Sequence, residues 1–312
     1  MKRLRQHGMT LVELMIALVL GLVVILLPGS LFISANAGFA AQREQAAVDD
    51  AARFALATIE RAARQAGYVD WQAGQAAAER ASAPAFINGL DAASLSRSAE
   101  GIGAEREPAA NGSDVLALRF GGAGHAPDGD GSMLNCAGFA VDGQREGWSI
   151  FYVGISAGGQ SELRCKYRGE NNWSADAVVA GVDSFQVLYG LDTDLPSDGL
   201  ANEYVSATAL HALDAQLVLQ GASDSERERD RNRRTHWKRV TAIKVALVLH
   251  GAPRIGKNGK EAVFELFGPA YGEAAAGVDE GVRIDEALMT PAMRNRERRG
   301  FSAAILLRNP AD

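Results

Sequence analysis

Between Met9 and Ala35 the chain is apolar almost without interruption: MTLVELMIALVLGLVVILLPGSLFISA carries one charge, Glu13, in 27 positions. That length predicts a helix able to span a bilayer. Further on the pattern changes. Val48, Ala52, Ala55, Ile59, Ala62 and Ala66 recur at spacings of four and three, with Arg43, Glu44, Asp49, Arg53, Glu60 and Arg64 mostly on other faces. This predicts that the helix continues in amphipathic form. A single helix from Thr10 to Ala66 would hold 57 residues and reach about 85 Å. A kink or melted turn is expected at Pro28 and Gly29, and a stop at Gly67.

Beyond Gly67 the pattern becomes β-like. Alternating or apolar segments occur at 114–120, 148–155, 162–167, 184–189, 240–249, 262–267 and 301–307, and they read as strands of an antiparallel sheet. The stretches 121–132 (GGAGHAPDGDGS) and 223–234 (SDSERERDRNRR) are too polar or glycine-rich to pack and are expected to be loops. The predicted fold class is α+β: a long N-terminal helix, hydrophobic then amphipathic, packed on a β-rich antiparallel globular domain over 68–312.

Charge adds orientation. Lys2, Arg3 and Arg5 precede the apolar run, which predicts a cytoplasmic N-terminus and a single pass through the inner membrane, with the bulk of the chain in the periplasm. The formal net charge of −6 becomes more negative if these three cations are removed, which argues against general nucleic-acid binding. Cys136 and Cys165 are the two cysteines, an even count in an exported chain, so a disulfide is expected. Zinc is not expected, because two thiols without paired histidines nearby do not complete a four-ligand site.

Three kinds of segment share this N-terminal pattern: a plain anchor, a secretory signal cut after Ala35-Asn36-Ala37, and a class III prepilin leader. Glu13 separates them. A carboxylate at mid-bilayer costs about 2.5–3.5 kcal/mol on insertion scales, and neither an anchor nor a signal gains by carrying it.

The residues Gly8-Met9-Thr10-Leu11-Val12-Glu13-Leu14-Met15 resemble the G|FTLxELM signature of type IV prepilins and pseudopilins, with Met9 in place of the usual Phe. The resemblance implies cleavage after Gly8 by a prepilin peptidase, removing residues 1–8, and N-methylation of Met9. It also implies an assembly role for Glu13 as the fifth residue of the mature chain. The membrane part would then cover about 9–35 of a helical region 9–67. A buried carboxylate becomes tolerable when a neighbouring subunit's terminal ammonium pairs with it.

Three segments, 46–71, 177–204 and 290–309, resemble the PilW family of minor type IV pilins. The likeness rests on Arg53-Phe54-Ala55-Leu56 followed by Ala66-Gly67-Tyr68, on Val187-Leu188-Tyr189-Gly190, and on the closing Leu307-Arg308-Asn309. Residues 72–110 and 205–235 carry no such likeness. The resemblance implies a lollipop-shaped minor pilin of the initiating and tip complex. Its partners would be other minor pilins, the major pilin, prepilin peptidase and, in one version, a tip adhesin, and its final location the extracellular fibre. The alternatives are a J-type minor pseudopilin of type II secretion and a filament-tip module binding DNA or an adhesin.

Candidate chemistry is sparse. Asp192, Asp194, Asp198 and Glu203 partly match a calcium loop, with Glu203 twelfth, but Pro196 holds position five and Ser197 replaces the glycine at six. Turn aspartates are the preferred reading. Arg227, Arg229, Arg231, Arg233, Arg234, Lys238 and Arg239 lie beside Trp237, as in single-strand nucleic-acid binding. They are interleaved with Asp224, Glu226, Glu228 and Asp230, which favours a solvated loop. The histidines at 7, 125, 211, 236 and 250 form no metal-ligand phrase, and no nucleophile motif is present; no enzymatic activity and no cofactor are expected.

Overall fold

The computed structural model describes residues 8–69, 81–103, 106–253 and 261–308, with the side chains at 26–30, 33, 106, 107, 252 and 292 outside the description. The expected leader 1–8 therefore lies outside it except for Gly8. The chain divides into two compact units, Met1–Ala47 and Val48–Asp312, and α1 (Leu11–Gln65) contributes residues to both.

In the first unit every large apolar side chain from Met9 to Ile25 is exposed, so the helix there has an apolar surface on all faces. Among the described residues no helix is long and apolar enough to cross a membrane. The expected span 9–35 includes the side chains at 26–30 and 33, which lie outside the description, and α1 runs as helix through Pro28 and Gly29, so the expected melted turn does not occur there.

The second unit carries the strands β1 (Ile87–Leu90), β2 (Ala93–Leu95), β3 (Arg106–Pro108), β4 (Val115–Gly121), β5 (Glu146–Ile155), β6 (Ser161–Arg168), β7 (Trp173–Ala180), β8 (Val182–Leu191), β9 (Glu203–Val205), β10 (Val240–Pro253), β11 (Val263–Glu265), β12 (Arg283–Asp285) and β13 (Arg296–Leu306). Its helices are α2 (Ala207–Ala215), α3 (Asp224–Arg234), α4 (Pro269–Ala274) and α5 (Pro291–Arg294). One antiparallel sheet has the order β1-β4-β5-β6-β7 and a second the order β13-β10-β8-β9; β11-β12 and β2-β3 are separate pairs. The fold is α+β, with an N-terminal helix and a β-rich antiparallel domain.

The amphipathic reading of α1 holds in this unit: Ala52, Ala55, Ile59, Ala62 and Ala66 are buried and share a core with Leu116, Leu118, Phe151 and Leu163 of the first sheet and Phe185, Val187, Tyr189 and Ile243 of the second. Small alanines on this face let the helix approach both sheets closely. Gly67 ends it as expected: its φ of 73° is open to glycine at little cost, and its N–H turns to the Arg119 carbonyl at 2.9 Å. β8, buried at all ten positions, is the strand on which the two sheets meet. The Asp114 N–H donates to the Phe185 carbonyl at 2.8 Å, so the entrance to β4 is hydrogen-bonded to β8.

A polar network stands inside this apolar frame. Fully buried Arg298 of β13 donates from Nε to Asp183 Oδ2 of β8 at 2.8 Å, from a guanidinium NH2 group to Glu286 Oε1 at 3.3 Å, and from the other to the Met293 carbonyl at 2.7 Å. Asp183 Oδ1 also faces His250 Nδ1 of β10 at 2.8 Å and accepts from Ser161 Oγ at 3.1 Å. Burial pushes the Asp183 carboxyl up, but the hydrogen bond and charge of His250, with Arg298, outweigh it and hold it below the usual carboxylate range.

The loop expected at 223–234 is instead mostly helix α3. Ser223 and Glu226 form a reciprocal capping box, with acids in the first turn and arginines in the last, so caps and macrodipole stabilise a helix with no buried side chain. The segment 121–132 contains no strand beyond Gly121, as expected.

Cys136 and Cys165 form the expected disulfide, with Cα atoms 5.8 Å apart and a sequence separation of 29. It ties the segment after β4 to β6. Closing a loop of this size stabilises by roughly 3–4 kcal/mol on the chain-entropy model. Replacing both cysteines by serine should remove about that much, read as a lower urea midpoint; an unchanged midpoint would show that the bridge carries no stability.

Candidate assembly site

Helix α1 opens on a reciprocal cap. The Thr10 hydroxyl accepts from the Glu13 backbone N–H at 3.3 Å, and Glu13 Oε2 accepts from the Thr10 backbone N–H at 2.9 Å and its hydroxyl at 3.0 Å. This satisfies two donors that a helix start leaves orphaned and sets a negative charge on the positive end of the macrodipole. Gly8 and Met9 precede the cap as exposed, non-helical chain. Exposed non-helical backbone, cap and bare apolar helix thus follow one another within a few residues. The T-x-x-E spacing of Thr10 and Glu13 was a readable signal for the cap that the hydropathy reading passed over.

The other candidates fall elsewhere. Asp192, Asp194 and Asp198 do converge, each placing a carboxylate oxygen within 4.8 Å of the others, but Glu203 lies on β9 opposite Leu191. The carboxylates are taken up by the turn itself. Asp192 accepts from Ser197 Oγ, from the Gly199 N–H at 2.7 Å and from the Asp194 N–H at 3.1 Å; Asp194 accepts from Asn202 at 3.0 Å and Asp198 from the Leu200 N–H at 2.9 Å. Hydrogen bonding holds Asp192 below the usual carboxylate range. Their hydrogen bonds are those of turn aspartates.

Trp237 is buried, 2 % exposed, and packs edge-on against Tyr189 with centroids 4.8 Å apart and beside His211 at 5.1 Å, so it has no free face on which a base could stack. The arginines of α3 are partly engaged locally, Arg227 with the Gly221 carbonyl and Arg234 with the Val218 carbonyl. Histidines serve structure: His211 meets the Gly89 carbonyl, His236 meets Asp214 and His250 meets Asp183.

Residues 150–309, from within β5 to beyond β13, match the family model described as Type IV Pilus-assembly protein W, PilW. The match covers just over half of the chain. The chain belongs to the PilW family. Residues 3–27 match a second model, the prokaryotic N-terminal methylation motif, which brackets Gly8, Met9 and the Thr10–Glu13 cap. No curated protein and no solved structure matches the chain. PilW membership together with the methylation motif makes this a pilin-like protein of the type IV pilus, membrane-anchored and processed for pilus assembly, that interacts with other pilus components. Both are families of structural pilus components rather than enzymes. The PilW match takes in the whole Asp183–His250–Arg298 network, whereas α1 lies outside it.

Proposed function

We propose that this chain is a minor pilin, cleaved after Gly8, methylated at Met9, and built with other minor pilins and the major pilin into the initiating and tip complex of a type IV pilus. Before assembly it is a single-pass inner-membrane protein with residues 68–312 in the periplasm. It is non-catalytic. The observation that carries this reading is the bare apolar helix that starts within the residues matched by the methylation motif: exposed apolar surface on every face calls for lipid first and neighbouring helices afterwards. PilW membership favours the pilus over a secretion pseudopilus.

Glu13 is the assembly residue in this reading. Both bonds of its carboxylate to Thr10 use Oε2, and Oε1 is the oxygen that a neighbour's methylated ammonium would approach. Capping and charge pairing can be separated, since glutamine retains the cap and loses the charge. Both Glu13→Val and Glu13→Gln are expected to be processed normally yet to enter sheared fibres about tenfold less than the wild type. Quantitative immunoblotting of fibre and membrane fractions reads this. Wild-type incorporation of Glu13→Gln would leave Glu13 with a capping role alone and overturn the pairing.

A further inference from the structure

Three acidic residues far apart in the sequence converge in the globular unit. Asp91 follows β1, Asp114 precedes β4, and Asp279 lies in the turn before β12; one carboxylate oxygen of each lies within 4.8 Å of the others. The approach is built into the backbone. Gly112 and Gly281 have φ of 67° and 91°, and a Cβ added at Gly112 would stand 2.9 Å from the Gly281 Cα, so the turns that carry Asp114 and Asp279 touch only because both are glycine. Gln186 of β8 bridges them, donating from Nε2 to the Gly112 carbonyl at 2.6 Å and the Glu280 carbonyl at 3.4 Å.

Asp91 accepts from the Ala207 and Thr208 N–H groups of α2 at 3.0 and 2.7 Å, and Asp114 from those of Ala92 and Val187 at 3.1 and 2.8 Å. Asp279 differs. It is 5 % exposed; its Oδ2 accepts from the Tyr271 hydroxyl at 2.7 Å, while its buried Oδ1 has no hydrogen-bond partner among the described residues, and neither has Gln186 Oε1 at the same junction. Buried, unpartnered acceptors are costly. Burial and the charge of Asp91 push the Asp114 carboxyl well up, and burial pushes Asp279 up to about 6. The turn aspartates at 192–198 show no such deficit.

We propose that Asp91, Asp114 and Asp279 are ligands of one hard divalent cation, of the calcium class, that clamps the turn before β12 onto the meeting point of the two sheets. Oxygens on opposite sides of a cation with bonds of about 2.3–2.6 Å lie at most about 5 Å apart, which suits the observed grouping. A cation would neutralise the crowded carboxylates and supply the missing partner of Asp279 Oδ1.

The test uses the full chain in detergent, stripped with EDTA, dialysed and titrated calorimetrically with calcium chloride, alongside Asp279→Asn, Asp91→Asn and Asp194→Asn. The wild type should bind one Ca2+ with saturation, and Ca2+ should raise its unfolding midpoint. Either variant of the cluster should weaken binding about tenfold or more, while Asp194→Asn binds as the wild type. In EDTA, Asp279→Asn should melt no lower than the wild type, because it removes one of three crowded acids, so lost binding is distinguished from lost folding. Absence of saturable Ca2+ uptake by the wild type, or uptake abolished by Asp194→Asn and kept by Asp91→Asn, would overturn the proposal. The pilin reading stands or falls separately, at the N-terminus.

Discussion

Replacing Arg298 with methionine is expected to destabilise the globular unit by about 3–5 kcal/mol, the range for removing one partner of a buried ion pair. The guanidinium is fully buried and holds two buried carboxylates, Asp183 and Glu286. Methionine fills much of its volume but leaves both acids without their shared cation. Asp183 would keep His250, and Glu286 would keep the Ala262 N–H at 2.9 Å, so Glu286→Gln added to Arg298→Met should recover part of the loss. Urea denaturation of single and double variants measures the coupling; a loss below about 1 kcal/mol for Arg298→Met would show that the network adds little. The pH dependence has a defined sign. Asp183 is held below its unfolded value, so its contribution is present above that value, about 4, and is lost as pH falls through the lower folded one.

The second large effect lies at the other end of the chain and concerns processing. A bulky residue in place of Gly8 should leave the whole precursor in the membrane, because the prepilin peptidase that the resemblance implies needs a small residue on the leader side of the bond. Gly8 has open space around its Cα and takes no part in the Thr10–Glu13 cap, so the substitution does not disturb the start of α1. Loss of cleavage would then report recognition. Mass spectrometry of the N-terminal peptide reads it directly, and normal processing of Gly8→Leu would remove the basis for a prepilin leader.

What the sequence made legible was what is local. The apolar run, the Gly8 to Glu13 signature and the alanine stripe from Ala52 to Ala66 depend on spacings of a few residues, and strands β8 and β10 contain the apolar stretches 187–189 and 245–249. β7 passed unnoticed because its pattern is barely amphipathic, with Ala175 its one buried residue. α3 was hidden by composition: a segment without apolar residues reads as loop, although Ser223 and Glu226 carried a helix-start signal at the spacing that Thr10 and Glu13 also show. Trp237 looked like a stacking platform until packing buried it. The calcium reading went to Asp192–Glu203 because those residues are adjacent. Asp91, Asp114 and Asp279 have no local motif, and only the contact of Gly112 with Gly281 brings them together.

The central claim is that this PilW-family chain is matured as a pilin and enters the fibre. Its most direct test is the N-terminal peptide of the wild-type protein recovered from sheared pili, sequenced by mass spectrometry. The account predicts a chain that begins at Met9 with a methylated amine. A chain beginning at Gly38, as signal-peptidase cleavage after Ala37 would leave, or one retaining Met1 to Gly8, would contradict it.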